Sequence, residues 1–330
     1  MARTRPSFLW DFGQTYQRYR AASRSVEAVR LSERTIDILV LVNVRRAFFQ
    51  ARAQKALVKV AEETLANQQK HMDQIQAFVS VGTRPEIDLA QAKTDLANDR
   101  LLLINSQNAY AIAKAVLNQS MGSPQGTAYD VAEDELPPIE GADQASERLV
   151  DVASTQRPEL ASLERQHQAQ ELTIKSLKGA YGPTLSAFGG ASEVGPSIDN
   201  LGPNWNVGAQ LAWPIFQGGL TTGLVREAEG NLDITRAQLE SERLQVRLDV
   251  EQALLTVRGA KAAIGASEDA LANARDRLRL AEGRYQSGVG SIIELGDAQI
   301  ALTSAAGQRV QAQYNLSTAR AQLLAALGRR

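Results

Sequence analysis

Few residues in this 330-residue chain are spaced for chemistry. Glu294 and Asp297 lie three places apart, so a helix puts both carboxylates on one face. Alone, that pair reads either as an ordinary solvated pair or as part of an acidic site. His71 and His167 sit on predicted helices with no partner at ligand spacing, and both read as surface residues. Asp11-Phe12-Gly13 copies the metal-binding triplet of kinases, but no Gly-rich loop or His-Arg-Asp segment accompanies it. It reads as a strand-to-helix corner with Gly13 as the backbone turn. Gly288-Val289-Gly290 follows no strand and lacks a third glycine, which argues against a dinucleotide site. The chain has no cysteine, hence no disulfide, thiolate metal site, cysteine nucleophile or lipidated N-terminal cysteine. With no nucleophile–base pair or metal constellation, the expectation is a non-enzyme without metal or cofactor.

A formal net charge of −1 offers no basic footprint for nucleic acid. Aromatic residues make up only 5%, and Ala, Leu, Gln and Arg dominate, a composition suited to long helices. No run of about 18 apolar residues appears, so no membrane-spanning helix is expected. The first ten residues, Met1 to Trp10, contain no apolar core and do not form a signal peptide.

The elements that must position these residues come in two copies. Shifting the chain by 206 places aligns Gly13 with Gly219, Thr15 with Thr221, Ala47 with Ala253, Gly82 with Gly288 and Gly122 with Gly328. The glycines fall where helices should start, turn and stop. In the second copy Val250, Val257, Ile264, Leu271, Leu278 and Tyr285 recur every seven residues, with Ala253, Ala260, Ser267, Ala274 and Ala281 between them. The first copy matches with Val44, Ala51, Val58, Leu65, Met72 and Val79. Such a seam of large against small residues implies left-handed supercoiling. Gly219 to Gly288 spans roughly 70 residues, which as a helix reaches on the order of 100 Å. Only a fibre, a rod or a tunnel wall needs that length.

Residues 1–122 therefore form a first repeat, 123–156 a linker with one short helix near Ser146–Ala153, and 157–330 a second repeat. Within the latter, Arg157-Pro158-Glu159-Leu160 opens a helix that runs to about Lys178. Two strands follow, Pro183–Ser192 and Trp205–Phe216, joined as a hairpin by a loop rich in Gly, Pro, Asn and Ser. In the second strand Trp205, Val207, Ala209, Leu211 and Trp213 share one face, and Asn206, Gly208, Gln210 and Ala212 the other. An outer-membrane barrel strand has this pattern, and so does a strand of a soluble sandwich. Phe8–Phe12 supplies a strand to the first repeat.

This order of elements, twice over, resembles the TolC-like outer-membrane efflux proteins. The resemblance rests on Trp10-Asp-Phe-Gly13 and Ile215-Phe-Gln-Gly-Gly219, Arg157-Pro-Glu-Leu160, Val81-Gly-Thr83 with Asp88, and Tyr285-Gln-Ser-Gly288 with Glu294-Leu-Gly-Asp297. It covers essentially the whole chain. It implies a mainly α fold with a few strands: long antiparallel coiled-coil helices forming a trimeric α-barrel, and four strands per protomer closing a shared outer-membrane β-barrel. Met1 falls directly before the second strand of the family's first repeat, so the leader, first helix and first strand are expected to be missing, which would leave unpaired barrel edges.

The function implied is a passive exit duct, the outer-membrane component of a tripartite efflux or type I secretion system. It would extend into the periplasm as a homotrimer. Its partners would be a periplasmic adaptor (membrane fusion) protein, an inner-membrane pump of RND, ABC or MFS type, and outer-membrane lipid. By the same resemblance Glu294 and Asp297 fall at an acidic ring around the aperture. There the copies would attract cations and raise one another's pKa. Tyr285 and Asp88 fall in the gating network; Gly290 stands where its arginine is expected, and Arg84 is the candidate substitute. Val81, Gly82, Thr83, Ser287, Gly288 and Val289 are the implied adaptor-docking tips, and Gly13 and Gly219 the strand–helix corners. The chief rival is a soluble coiled-coil scaffold, which explains the heptads but not the tryptophan-flanked hairpin.

Overall fold

The structure is a computed structural model and describes residues 7–124, 126–139, 146–195 and 202–329. In chain order the elements are β1 (Ser7–Trp10), α1 (Gln14–Ser80), α2 (Glu86–Met121), α3 (Ser146–Gln156), α4 (Pro158–Lys178), β2 (Thr184–Val194), β3 (Gly202–Ala212), α5 (Leu220–Gln286) and α6 (Ile292–Ala326). A single 3₁₀ turn, Gly179–Tyr181, follows α4. The fold is mainly helical with a few strands, as the periodicities require.

The duplication is visible in the backbone. Helices α1 and α5 each have 67 residues, and both of their ends are related by the 206-residue shift. The glycines that flank them take the left-handed conformation in matching pairs: Gly13 and Gly219 (φ 83° and 82°), Gly82 and Gly288 (76° and 82°), Gly122 and Gly328 (65° and 71°). Side chains at those angles are strained, so the glycines fix where each helix starts and stops. Hydrogen bonding repeats too. Gln14 N donates to Asp11 O at 3.1 Å, and Leu220 N to Gln217 O at 3.1 Å.

The residues sort into two compact units, Met1–Thr35 with Arg157–Gln245, and Ile36–Gln156 with Val246–Arg330; each repeat contributes to both. In the first unit β1, β2 and β3 form one antiparallel sheet in that order. Leu185, Ala187 and Ala191 pair with Leu211, Ala209 and Trp205, so they share the apolar face expected for the hairpin. The strand expected over Trp205–Phe216 ends earlier, at Ala212, because Pro214 has no N–H for the ladder. By the repeat shift β1 maps onto residues 213–216, which are not strand, so the duplication is kept in the helices and lost there. Helix α4 buries Leu160, Leu172 and Ile174 and also hydrogen-bonds α1 through hydroxyls: Ser162 Oγ donates to Ala28 O at 2.9 Å and Ser176 Oγ to Gln14 O at 2.8 Å.

In the second unit the heptad seam of α5 is buried. Val250, Val257, Leu271, Leu278 and Tyr285 alternate with Ala253, Ala260, Ala274 and Ala281, and Ile264 is half-buried. Alanine at alternate layers lets helix backbones approach closely, which is why so few aromatic residues are needed. Within the linker expected over 123–156, residues 126–139 are tied to the helices. Lys55 Nζ donates to Asp130 Oδ2 at 2.7 Å, Tyr110 Oη to Asp130 Oδ1 at 2.7 Å, and Arg320 Nη1 to Leu136 O at 2.8 Å. The hydrogen bond from Lys55, then that from Tyr110, holds the Asp130 carboxyl down at about 2. The short helix expected at Ser146–Ala153 extends to Gln156 as α3. Residues 196–201, within the hairpin loop expected over 193–204, lie outside the described residues.

Candidate functional site

At the end of the second unit that holds both glycine turns, the two repeats meet. Each long helix closes with the same motif. Gly82 N donates to Val79 O and Thr83 N to Phe78 O, both at 3.0 Å; Gly288 N donates to Tyr285 O at 3.1 Å and Val289 N to Arg284 O at 3.0 Å. The six turn residues Val81, Gly82, Thr83, Ser287, Gly288 and Val289 are all exposed. Each turn hands the chain to a return helix. Ser291 caps α6, its Oγ accepting from Glu294 N at 3.1 Å, while α2 starts after Pro85 with Glu86 and Asp88 in its first turn. Carboxylates there complement the positive end of the helix dipole.

Tyr285 is the centre of this site. It lies in the last turn of α5, 3% exposed, on a core of Ile75, Leu278, Ala281, Leu295 and Ala298. Its hydroxyl donates to Asp88 Oδ2 at 3.0 Å, so the second repeat's helix is tied to the first repeat's return helix. Arg84 approaches from the first turn. Its guanidinium carbon sits 4.2 Å above the Tyr285 ring, and its Nη2 donates to Tyr285 O at 2.6 Å. One side chain thus makes a cation–π contact and also caps a helix carbonyl. Burial pushes the Tyr285 phenol up to about 12, the hydrogen bond to Asp88 and its charge adding to this while Arg84 opposes it. The phenol is therefore a fixed donor to Asp88, an arrangement suited to holding helices together.

The repeat shift makes the pairing asymmetric. Asp88 is equivalent to Glu294, and Arg84 to Gly290. A Cβ at Gly290 would lie 2.9 Å from Tyr285 N and 3.0 Å from Arg284 C and Cβ, so this turn conformation admits no side chain there. The guanidinium comes instead from Arg84, whose Nη2 lies 3.4 Å from Gly290 O. Tyr285, expected together with Asp88 and Arg84 in one network, is in direct contact with each of them.

The carboxylates expected at the aperture part company. Glu294 Oε1 is 3.0 Å from Arg284 Nε, both side chains about half exposed, an ion pair the sequence reading missed. Arg284 is ten places back across a turn, and only the turn's geometry brings it near. Asp297 is exposed and lies on a different cleft, described below. Gly13 lies between β1 and α1, and Gly219 directly before α5: Thr15 N donates to Asp11 Oδ2 at 2.8 Å, and Thr221 Oγ1 donates to Gln217 Oε1 at 2.6 Å at the equivalent place. Asp11 thus caps α1.

One expectation is corrected. His71 is not a surface residue; it is 8% exposed, with Nε2 at 3.2 Å from Glu282 Oε1 across the α1–α5 seam. Heptad spacing places it directly before Met72, which is half-buried against the core of the seam. Burial lowers its pKa, with Glu282 opposing. His167 is half-buried. Among the described residues no group of three or more His, Cys, Asp or Glu could hold a metal ion, and no helix is long and apolar enough to cross a membrane.

Comparison with known proteins agrees with this architecture. The model of the outer membrane efflux protein family matches residues 8–123 and 149–329, one match per repeat. The probable efflux pump outer membrane protein TtgC of Pseudomonas putida is 26% identical over 305 residues, which cover 90% of this chain and 62% of that protein. The chain thus spans less than two thirds of that relative's length. The cation efflux system protein CusC of Escherichia coli K12 is 24% identical over 332 residues, covering 96% of this chain and 70% of CusC. A crystal structure of CusC superposes with a TM-score of 0.84 at 23% identity, over 99% of this chain and 77% of that one, and shows the same fold. With both repeats matched and the fold shared, the chain belongs to the outer membrane efflux protein family.

Proposed function

We propose that this chain is a protomer of an outer-membrane exit duct, a passive conduit through which an efflux or type I secretion system discharges solutes. The observation that carries the reading is the Tyr285–Asp88–Arg84 tie, which joins one repeat's turn to the other's at the end where a duct must close. Glu294 and Asp297 would line the aperture in three copies, with Arg284 balancing Glu294 and Asp297 left as the cation-attracting charge. Opening then requires that the tie be broken, because Tyr285 cannot leave its core without losing Asp88 and Arg84 together.

The strands support a lipid-facing role. Strands β2 and β3 have 11 residues each, the length of a transmembrane strand. Trp205 lies in β3 and Trp213 directly follows its end at Ala212, eight places on; an extended span of that length is about 25 Å, which matches the apolar band between aromatic girdles. Trp205, Val207 and Leu211 are 75%, 77% and 69% exposed in the single chain, apolar surface that lipid would cover.

The reading includes a homotrimer, a periplasmic adaptor and an inner-membrane pump of RND, ABC or MFS type. Val81 and Val289, each 71% exposed beside a glycine turn, are the apolar tips an adaptor hairpin would pack against. The test is conductance of detergent-extracted protein in a planar bilayer, with and without Glu294→Ala plus Asp297→Ala. Cation-selective current, low or intermittent while the tie holds, that loses selectivity in the double variant supports the duct and its ring. Absence of current from folded trimers in which the tie is also broken by Arg84→Ala plus Asp88→Ala refutes the duct.

A further inference from the structure

Helices α1, α2 and α6 border an open cleft of about 540 Å³ in the second unit, within the size range of sites for small organic ligands. Its surface is of two kinds. Asp95 and Asp99, one helical turn apart on α2, and Asp297 on α6 make it acidic, and no basic residue lines it. Leu102, Ile293 and Ile300 make the rest apolar. Gln299 also lines it and is only 6% exposed, yet its amide oxygen and nitrogen are both buried without a hydrogen-bond partner. A buried amide in that state is costly, and a ligand that offers a polar group removes the cost.

The carboxylates carry the mark of their crowding. Burial raises the pKa of Asp95 and Asp99, the charge of Asp95 raising Asp99 further, while the Gln91 amide, which donates to Asp95 Oδ1 at 2.9 Å, opposes this. A cation set among them relieves both penalties. A bare metal ion is a poor match, since among the described residues no three acidic or His side chains are grouped closely enough to chelate one.

We propose that this cleft binds an amphiphilic organic cation, its charge facing Asp95, Asp99 and Asp297, its apolar body against Leu102, Ile293 and Ile300, and a neutral polar group on Gln299. This deepens the duct reading by naming a class of solute and rests on that reading for its purpose, whereas the binding itself requires no conduction.

The test is fluorescence anisotropy of rhodamine 6G, a lipophilic cation, titrated with the detergent-extracted full chain, with anionic fluorescein as the matched control. Saturable binding of rhodamine alone is expected, weakened about tenfold or more by Asp95→Asn plus Asp99→Asn. Charge reversal, Asp95→Lys plus Asp99→Lys, is expected to shift the preference to fluorescein, a gain that misfolding cannot produce. Equal affinity for the two dyes, or rhodamine affinity unchanged in the Asn variant, overturns the proposal. Conductance of the same chain with the tie broken by Arg84→Ala plus Asp88→Ala keeps the two readings apart. Current without saturable rhodamine binding rejects the cleft and leaves the duct, and binding without current does the reverse.

Discussion

The Tyr285 hydroxyl donates to Asp88 at 3.0 Å across a boundary between the two repeats, 197 residues apart in the chain. Tyr285→Phe removes the donor and leaves a buried carboxylate one partner short. The expected cost is about 1–3 kcal/mol. Thermal unfolding of the detergent-solubilised protein checks it, and an unchanged midpoint counts against the tie.

The same bond sets a pH signature. The phenol's pKa rises to about 12 from the ordinary 10, so below pH 10 the tie is fully present. Between about 10 and 12 the unfolded chain loses the proton while the folded one keeps it, and stability falls as pH rises. Wild type should therefore lose more stability than Tyr285→Phe across that window. Parallel pH profiles of the two proteins would contradict the assignment.

His71 works at the other end of the scale. Its folded pKa lies below the ordinary 6.5, so the neutral ring is stable above that value. As pH falls below 6.5 the unfolded state takes the proton first, and stability declines. Melting temperatures at pH 7.5 and 5.5 should differ more in wild type than in His71→Gln.

Gly290 tests the handover from Gly290 to Arg84. A Cβ there meets backbone atoms of residues 284 and 285, which cannot swing aside as a side-chain tip can. Gly290→Ala should displace the turn and loosen the contacts of Arg84 with Tyr285 O and Gly290 O. Hydrogen exchange over residues 284–292 reads this directly: faster exchange is expected, and unchanged protection counts against it.

On the hairpin, Val207→Arg places a charge on the apolar face and Gln210→Arg places one on the opposite face. If lipid covers the former, the expected cost is about 2–4 kcal/mol near the bilayer midplane, against little for the latter. Unfolding in lipid bilayers measures both, and equal costs would remove the lipid-facing assignment.

Much of this architecture was legible because it is periodic. The glycine pairs and the heptads of α1 and α5 fix helix ends to the residue, since left-handed φ and a seven-residue seam each leave a local mark on the sequence. Tyr285 and Asp88 were readable as one network through family resemblance, while which atoms meet was not, because the contact joins distant segments. Arg284 with Glu294 and His71 with Glu282 were missed for a related reason: each pairing depends on how a turn or a seam aligns two helices, and heptad spacing specifies which face is buried but not which polar side chain goes with it. The end of β3 was missed because alternation continued into Pro214, and a period of two says nothing of a lost N–H.

The central claim is a duct held closed by Tyr285, Asp88 and Arg84, and single-channel recording tests it most directly. Wild type and Arg84→Ala plus Asp88→Ala should be compared in the same bilayer at neutral pH. The account predicts low or intermittent current from wild type, and a severalfold higher, sustained conductance from the variant. Equal conductance from both folded proteins would contradict it.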